Sequence, residues 1–223
     1  VIGDGTEANP FNTIQKGVDT VAVGGTVKIM AGTYDYDEHF DGTHTNRIVI
    51  SKRVILDGVG GVDGTHIVGK QVPGTEADGN IGCGPDAIRC IKISDATAND
   101  TIIKNLTLRN GGASTVNNTY GYGGAVCGAS NARNPVWLVD CVVSNCAAVM
   151  GGALNGVSAL RCKFIENRST GYGAALRYCN AMHCLLYKNK KHDKPDLTSV
   201  RPTVANTYAV NCTLVVGFQT KTS

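Results

Sequence analysis

Apolar and polar positions alternate along this chain in short bursts, and five of the bursts superpose. Segments 105–108 (NLTL), 140–143 (DCVV), 161–164 (RCKF), 183–186 (HCLL) and 211–214 (NCTL) align without gaps. Their second position holds Leu106, Cys141, Cys162, Cys184 and Cys212, and their fourth holds Leu108, Val143, Phe164, Leu186 and Leu214. Residues two apart on a strand point to the same face, so these are two inward columns. The steps of 35, 21, 22 and 28 residues fit a coil with a turn of about 22 residues and loops inserted into some turns.

A second repeat lies between these strands. Segments 123–126 (GGAV), 151–154 (GGAL) and 173–176 (GAAL) recur at steps of 28 and 22 residues, and their small side chains let neighbouring passes of the chain come close. Each turn therefore carries at least two strands. Asn110, Asn145, Asn167 and Asn189 follow the first strand set and predict an asparagine column at a bend, where the amide bonds to backbone or to the rung beside it. Less regular alternation at 26–30, 47–50, 54–56, 88–93 and 101–103 supplies the earlier turns.

The pattern predicts an all-β chain: a right-handed, single-stranded parallel β-helix, or solenoid. One chain pass per roughly 4.8 Å and 22 to 25 residues per turn give about nine rungs over 26–218, within one domain spanning 1–223. At the start, Phe11, Ile14, Val18, Val21 and Ala22 share a helical face after Asn9-Pro10, predicting a short capping helix over about 9–23. The last rung strand carries Asn211, Thr213, Val215 and Phe218, with no helix after it. This predicts an assembly edge, covered either by more protein, the chain then being a fragment, or by end-to-end self-association.

Composition agrees with many short strands: 28 glycines, 42% apolar residues, 6% aromatic and 17% charged. A net charge of +3, spread along the chain, gives no electrostatic footprint for nucleic acid, and the run 188–194 (KNKKHDK) reads as a solvated loop. There is no apolar run of 18 residues, so no membrane-spanning helix is expected. Nine cysteines suit an oxidising, extracellular or cell-surface setting, but an odd number cannot all pair within one chain.

Segments 3–6 (GDGT), 9–16 (NPFNTIQK), 25–29 (GTVKI) and 31–34 (AGTY) resemble the N-terminal part of secreted pectate-lyase-like β-helix proteins. The Gly-Gly-Ala-Val and Gly-Gly-Ala-Leu segments, with Phe164-Ile165-Glu166-Asn167, resemble the repeats of polymorphic outer membrane proteins and related bacterial surface β-helices. The first resemblance implies the fold of a superfamily that contains polysaccharide lyases, hydrolases, esterases and adhesins. The second implies export, attachment to the envelope and adhesion rather than catalysis. The competing expectation is a carbohydrate-active enzyme, a polysaccharide lyase in the first place, or a glycan-binding module.

Candidate chemistry is sparse. Asp140, Arg161 and His183 occupy equivalent positions on three neighbouring rungs and form the best catalytic column, although exposed strand starts carry any polar residue. No motif singles out catalytic residues. Asp35, Asp37, Glu38 and Asp41 form the densest carboxylate group, with His39 among them, and suit calcium, the one cofactor the sequence suggests. Tyr120, Tyr122, Tyr172 and Tyr178 lie in or beside the small-residue strands, where aromatic faces in a row can stack on sugar rings. Met150 takes the equivalent place in the middle repeat, and Trp137 is as well suited to packing as to binding. The column Cys141, Cys162, Cys184 and Cys212 reads as reduced, buried core filling, because a ladder does not converge on a metal. Cys83 and Cys90 are the expected local disulfide.

Overall fold

In this computed structural model, residues 3–73, 81–94, 96–113, 121–129, 134–191 and 204–215 are described. One turn shows how the chain coils. Strand Val157–Leu160 ends at Arg161, whose φ of 52° redirects it into Lys163–Ile165. Glu166, at φ 55°, turns it again into Arg168–Ser169. Gly173, at φ 69°, precedes Leu176–Arg177, and Tyr178, at 52°, opens the next turn at Asn180–Met182. The turn thus has four short strands with a left-handed residue at each bend. That conformation costs a non-glycine residue about 1–2 kcal/mol, so the bends persist because stacked neighbours hold them.

Stacking these turns builds four sheets. The first runs in parallel order through Thr26–Ile29, Ile55–Gly58, Ile102–Lys104, Asn134–Val139, Val157–Leu160, Asn180–Met182 and Tyr208–Val210. The second stacks Gly32–Tyr34, Thr65–Val68, Thr107–Arg109, Val142–Ser144, Lys163–Ile165, Leu185–Tyr187 and Thr213–Val215. A narrow third sheet holds Gly112–Ala113, Ala147–Ala148, Arg168–Ser169 and Lys190–Lys191. The fourth holds Thr45–Ile50, Ile88–Ile93, Val126–Cys127, Leu154–Asn155, Leu176–Arg177 and Val204–Ala205, with His39–Phe40 added antiparallel at its edge. The chain is a parallel β-helix.

The first two sheets each contain seven strands, so the described residues form seven rungs rather than the nine expected. The difference lies in the early turns. Aligned residues Thr26 and Ile55 are 29 apart, Ile55 and Ile102 are 47 apart, and Ile102 and Trp137 are 35 apart, whereas Trp137 and Ser158 are 21 apart. Part of the longest step lies against the outside of the third sheet. There Ile81 and Cys83 pack with Ala147, Val149 and Met150 in a small second core. Gln71 donates to the Asn145 carbonyl and accepts from Arg168 Nη2 at 3.0 Å. At the C-terminal side, Lys190–Lys191 pairs with Arg168–Ser169, so the basic run opens on the bend at Lys188 and then enters a strand. Residues 192–194 of that run lie outside the described set.

The main core fills the coil. Leu56, Ile103, Leu138, Ala159 and Ala181 form one fully buried column, and Ile67, Leu108, Val143, Phe164 and Leu186 another. At the N-terminal end the helix is shorter than expected, Ile14–Thr20. It starts where the Thr13 hydroxyl accepts from the Lys16 N–H and stops where Val21 becomes extended. Ile14 and Val18 cover the core, while the Gln15 amide accepts from the Val49 N–H at 2.8 Å and donates to its carbonyl at 3.0 Å. That amide stands in for a missing strand at the edge of the fourth sheet. Among the described residues, no helix is long and apolar enough to cross a membrane.

The asparagines divide into two adjacent columns. Asn110 and Asn145 are left-handed bend residues at φ 57° and 48°, equivalent to Glu166 and Lys188. Asn167 and Asn189 stand one position further on and are buried. The sequence alignment had merged the columns because Asn167 and Asn189 fall one residue later in their rungs.

Candidate functional site

Asp140, Arg161 and His183 are left-handed bend residues between the first and second sheets, with Asn105 and Asn211 in the same column. Asp140 and Arg161 form a two-pronged ion pair, Nε to Oδ1 and Nη2 to Oδ2, both at 2.7 Å. The Arg161 bond lowers the Asp140 pKa from its ordinary value, and the same bond raises that of the guanidinium. A carboxylate held this way is stabilised in its charged form and is a poor proton acceptor. The column therefore acts as a polar bend ladder.

The acidic group does not converge. Asp37 Oδ1 faces His39 Nε2 at 3.1 Å, Glu38 Oε1 faces Arg47 Nη1 at 3.2 Å, and Asp41 Oδ2 lies 3.7 Å from Arg89 Nη1. Asp35 is exposed. Among the described residues, no three His, Cys, Asp or Glu side chains are grouped to hold a metal, so Asp35, Asp37, Glu38 and Asp41 are not brought together around one point. Glu38 and Asp41 instead face arginines that anchor this segment. Arg89, 1% exposed, also donates to the Tyr122 and Gly123 carbonyls and to Asn46 Oδ1.

The cysteines are all free thiols. Cys83 sits in the small outer core and Cys90 in the main one, which corrects the expected disulfide between them. Cys90 instead meets Cys146. Cys141, Cys162, Cys184 and Cys212 occupy one position on four successive rungs, and their Sγ atoms reach the Ile103, Leu138, Ala159 and Ala181 carbonyls at 3.4 to 3.7 Å. Contact with Cys141 raises the Cys162 thiol, and contact with Cys162 together with burial raises Cys184, so both are protonated at neutral pH. Cys179, beside this column, is pushed by burial up to about 12.

Tyr122 and Tyr178 approach the same arginine. The Arg177 guanidinium carbon lies 5.0 Å from the Tyr122 ring centre and 4.3 Å from that of Tyr178, and Nη1 donates to Asn155 Oδ1 at 2.8 Å. Tyr172 is 46% exposed, and the Tyr172 carbonyl accepts from the Gly151 N–H. Tyr120 and Phe218 lie outside the described residues.

Arg177 belongs to the outward column of the fourth sheet, Val49, Lys92, Cys127, Asn155, Arg177 and Ala205. Lys92 Nζ donates to the Gly128 carbonyl at 2.9 Å and lies 3.6 Å from Cys127 Sγ. This face carries a fixed guanidinium between two aromatic rings and, three rungs away, an anchored ammonium. Sequence reasoning missed Lys92, Asn155 and Arg177. The signal was present: Cys127, Asn155 and Arg177 each directly follow a small-residue segment.

No known family's model matches the chain, and no curated protein matches it. A solved structure that does is that of a pectin methylesterase mutant in complex with a hexasaccharide. It has a TM-score of 0.37 and 16% identity, and the match covers 94% of this chain and 60% of that one. The likeness is one of fold alone. The chain spans about 60% of that enzyme's length.

Proposed function

We propose that this chain is an extracellular β-helix that binds an acidic glycan along the outward face of its fourth sheet. The observation that carries the reading is Arg177, held between Tyr122 and Tyr178. A guanidinium fixed against aromatic rings offers a planar donor for a sugar carboxylate next to apolar ring surface for the sugar's C–H face. Lys92, in the same column, provides a second cation for a ligand that runs parallel to the coil axis.

Titration calorimetry with uronate oligosaccharides and neutral oligosaccharides of equal length tests the reading. Binding restricted to the uronates, and weakened by Arg177→Ala, supports it. Equal binding of both, or of neither, sinks it. Unsaturated product released from a uronate polymer would move the assignment to a polysaccharide lyase.

A second reading, adhesion or end-to-end assembly, draws on Tyr208, Val210 and Leu214, which are 64%, 53% and 52% exposed in the last described strands. The resemblance to surface repeat proteins favours the same role. Among the residues of the expected assembly edge, Asn211, Thr213 and Val215 lie exposed in this rung. Concentration-dependent sedimentation, abolished by Val210→Asp with Leu214→Asp, is the result this reading expects.

A further inference from the structure

The cysteine column places two thiols on adjacent rungs where one of them meets solvent. Leu185 and Thr213 are register partners, so the residues before them, Cys184 and Cys212, lie directly side by side. Neighbouring parallel strands run roughly 4.8 Å apart, inside the Cα separation of about 4.4–6.8 Å that a disulfide spans. Cys212 Sγ itself reaches the neighbouring rung, where it accepts from the Cys184 backbone N–H at 3.5 Å. The two thiols differ in access: Cys184 is buried at 2% exposure, whereas Cys212 is partly exposed. Cys141 and Cys162, further along the column, are 1% exposed.

We infer that Cys184 and Cys212 form a redox-modifiable pair, with Cys212 the thiol that meets an external disulfide and Cys184 the thiol that resolves it. With oxidised glutathione as oxidant, the Cys212 thiolate attacks one glutathione sulfur, forming a mixed disulfide and expelling one glutathione thiolate. Cys184 then gives up its proton, which passes through solvent to the expelled glutathione thiolate, and attacks Cys212 Sγ. The second glutathione leaves, and the new S–S bond joins adjacent rungs. Two protein thiols are oxidised and one glutathione disulfide is reduced to two thiols. Burial raises the Cys212 thiol, so the first step accelerates as pH increases. The product is a covalent staple across the end rung of the first two sheets, where Tyr208–Val210 and Thr213–Val215 are edge strands.

The test uses the full chain, purified under reductant and then exposed to oxidised glutathione at mildly alkaline pH, with remaining thiols counted by alkylation and intact mass. The expected result is the loss of two alkylatable thiols and, after digestion, one linked peptide joining Cys184 to Cys212. Cys184→Ser should trap glutathione on Cys212, and Cys212→Ser should leave its thiol count unchanged, each with an unchanged circular dichroism spectrum. Peptide mapping of the unmodified sequence decides the matter even if a variant folds poorly. Nine alkylatable thiols after exposure, or a linked peptide joining Cys162 to Cys184, overturns the inference.

Discussion

Asn189 Oδ1 accepts two hydrogen bonds from Asn167 on the preceding rung, one from the backbone N–H and one from Nδ2, both at 2.9 Å. Asn167 in turn accepts from the Cys146 N–H at 2.9 Å and donates to the Val143 carbonyl at 3.0 Å. One buried amide thus satisfies backbone groups on neighbouring turns.

Asn167→Ala leaves the Cys146 N–H and the Val143 carbonyl without their partner and removes one of the two bonds to Asn189 Oδ1, the bond from the residue 167 backbone N–H remaining. Each buried group left unpaired costs about 1–3 kcal/mol, so a loss of about 3 kcal/mol is expected after partial relaxation. Urea unfolding reads it as a lower midpoint with little change in slope. A change below about 0.5 kcal/mol would show that water replaces the amide.

Glu166 separates bend conformation from side-chain chemistry. It is exposed and held at φ 55°. Glu166→Val should destabilise by about 1–2 kcal/mol because a β-branched residue resists left-handed backbone, whereas Glu166→Gly should be neutral or slightly stabilising. Equal effects in thermal unfolding would mean that the bend is not strained.

Phe164 is fully buried in the inward column between Val143 and Leu186. Phe164→Ala should cost about 3–5 kcal/mol, as a cavity opens in the middle of the stack. Phe164→Leu should cost far less. The comparison by chemical denaturation checks that packing, not ring chemistry, sets the value.

Asp41 gives the fold an acid-sensitive joint. Burial pushes its carboxyl up, but N–H bonds from His44 and Thr43, the Arg89 charge and Asn46 more than offset that, leaving its pKa below the ordinary 3.8. A group with a depressed folded pKa contributes stability that is present above its unfolded pKa and lost as pH falls through the folded one. Stability should therefore decline from about pH 4 downward. Asp41→Asn should flatten part of the decline, with Asp57 and Asp140, shifted the same way, supplying more. Superimposable acid-unfolding curves would contradict the role given to Asp41.

The regular half of the coil was legible because its inward columns repeat in kind: Cys141, Cys162, Cys184 and Cys212 mark the register over four rungs. The rung count was not, because the excess residues in early turns, among them Ile81 and Cys83, build a surface cluster with no periodicity of its own. The asparagine columns were blurred for a local reason, a one-residue difference in where Asn167 and Asn110 fall relative to their bends. At the candidate site, Tyr122 and Tyr178 could be picked out as aromatics beside a repeat. Arg177 was marked only by its place directly after a repeat, and Lys92 by no repeat, because an outward column is free to vary in chemistry where an inward one must match in size.

The account turns most directly on whether Arg177 recognises a sugar carboxylate. Calorimetric titration of the chain and of Arg177→Ala with one uronate oligosaccharide, repeated with its carboxyl-reduced counterpart, isolates that contact. Binding of the uronate alone, weakened about 10-fold or more by Arg177→Ala, equivalent to about 1.4 kcal/mol, is the predicted result. Undiminished binding by the variant, or equal affinity for the carboxyl-reduced sugar, would contradict it.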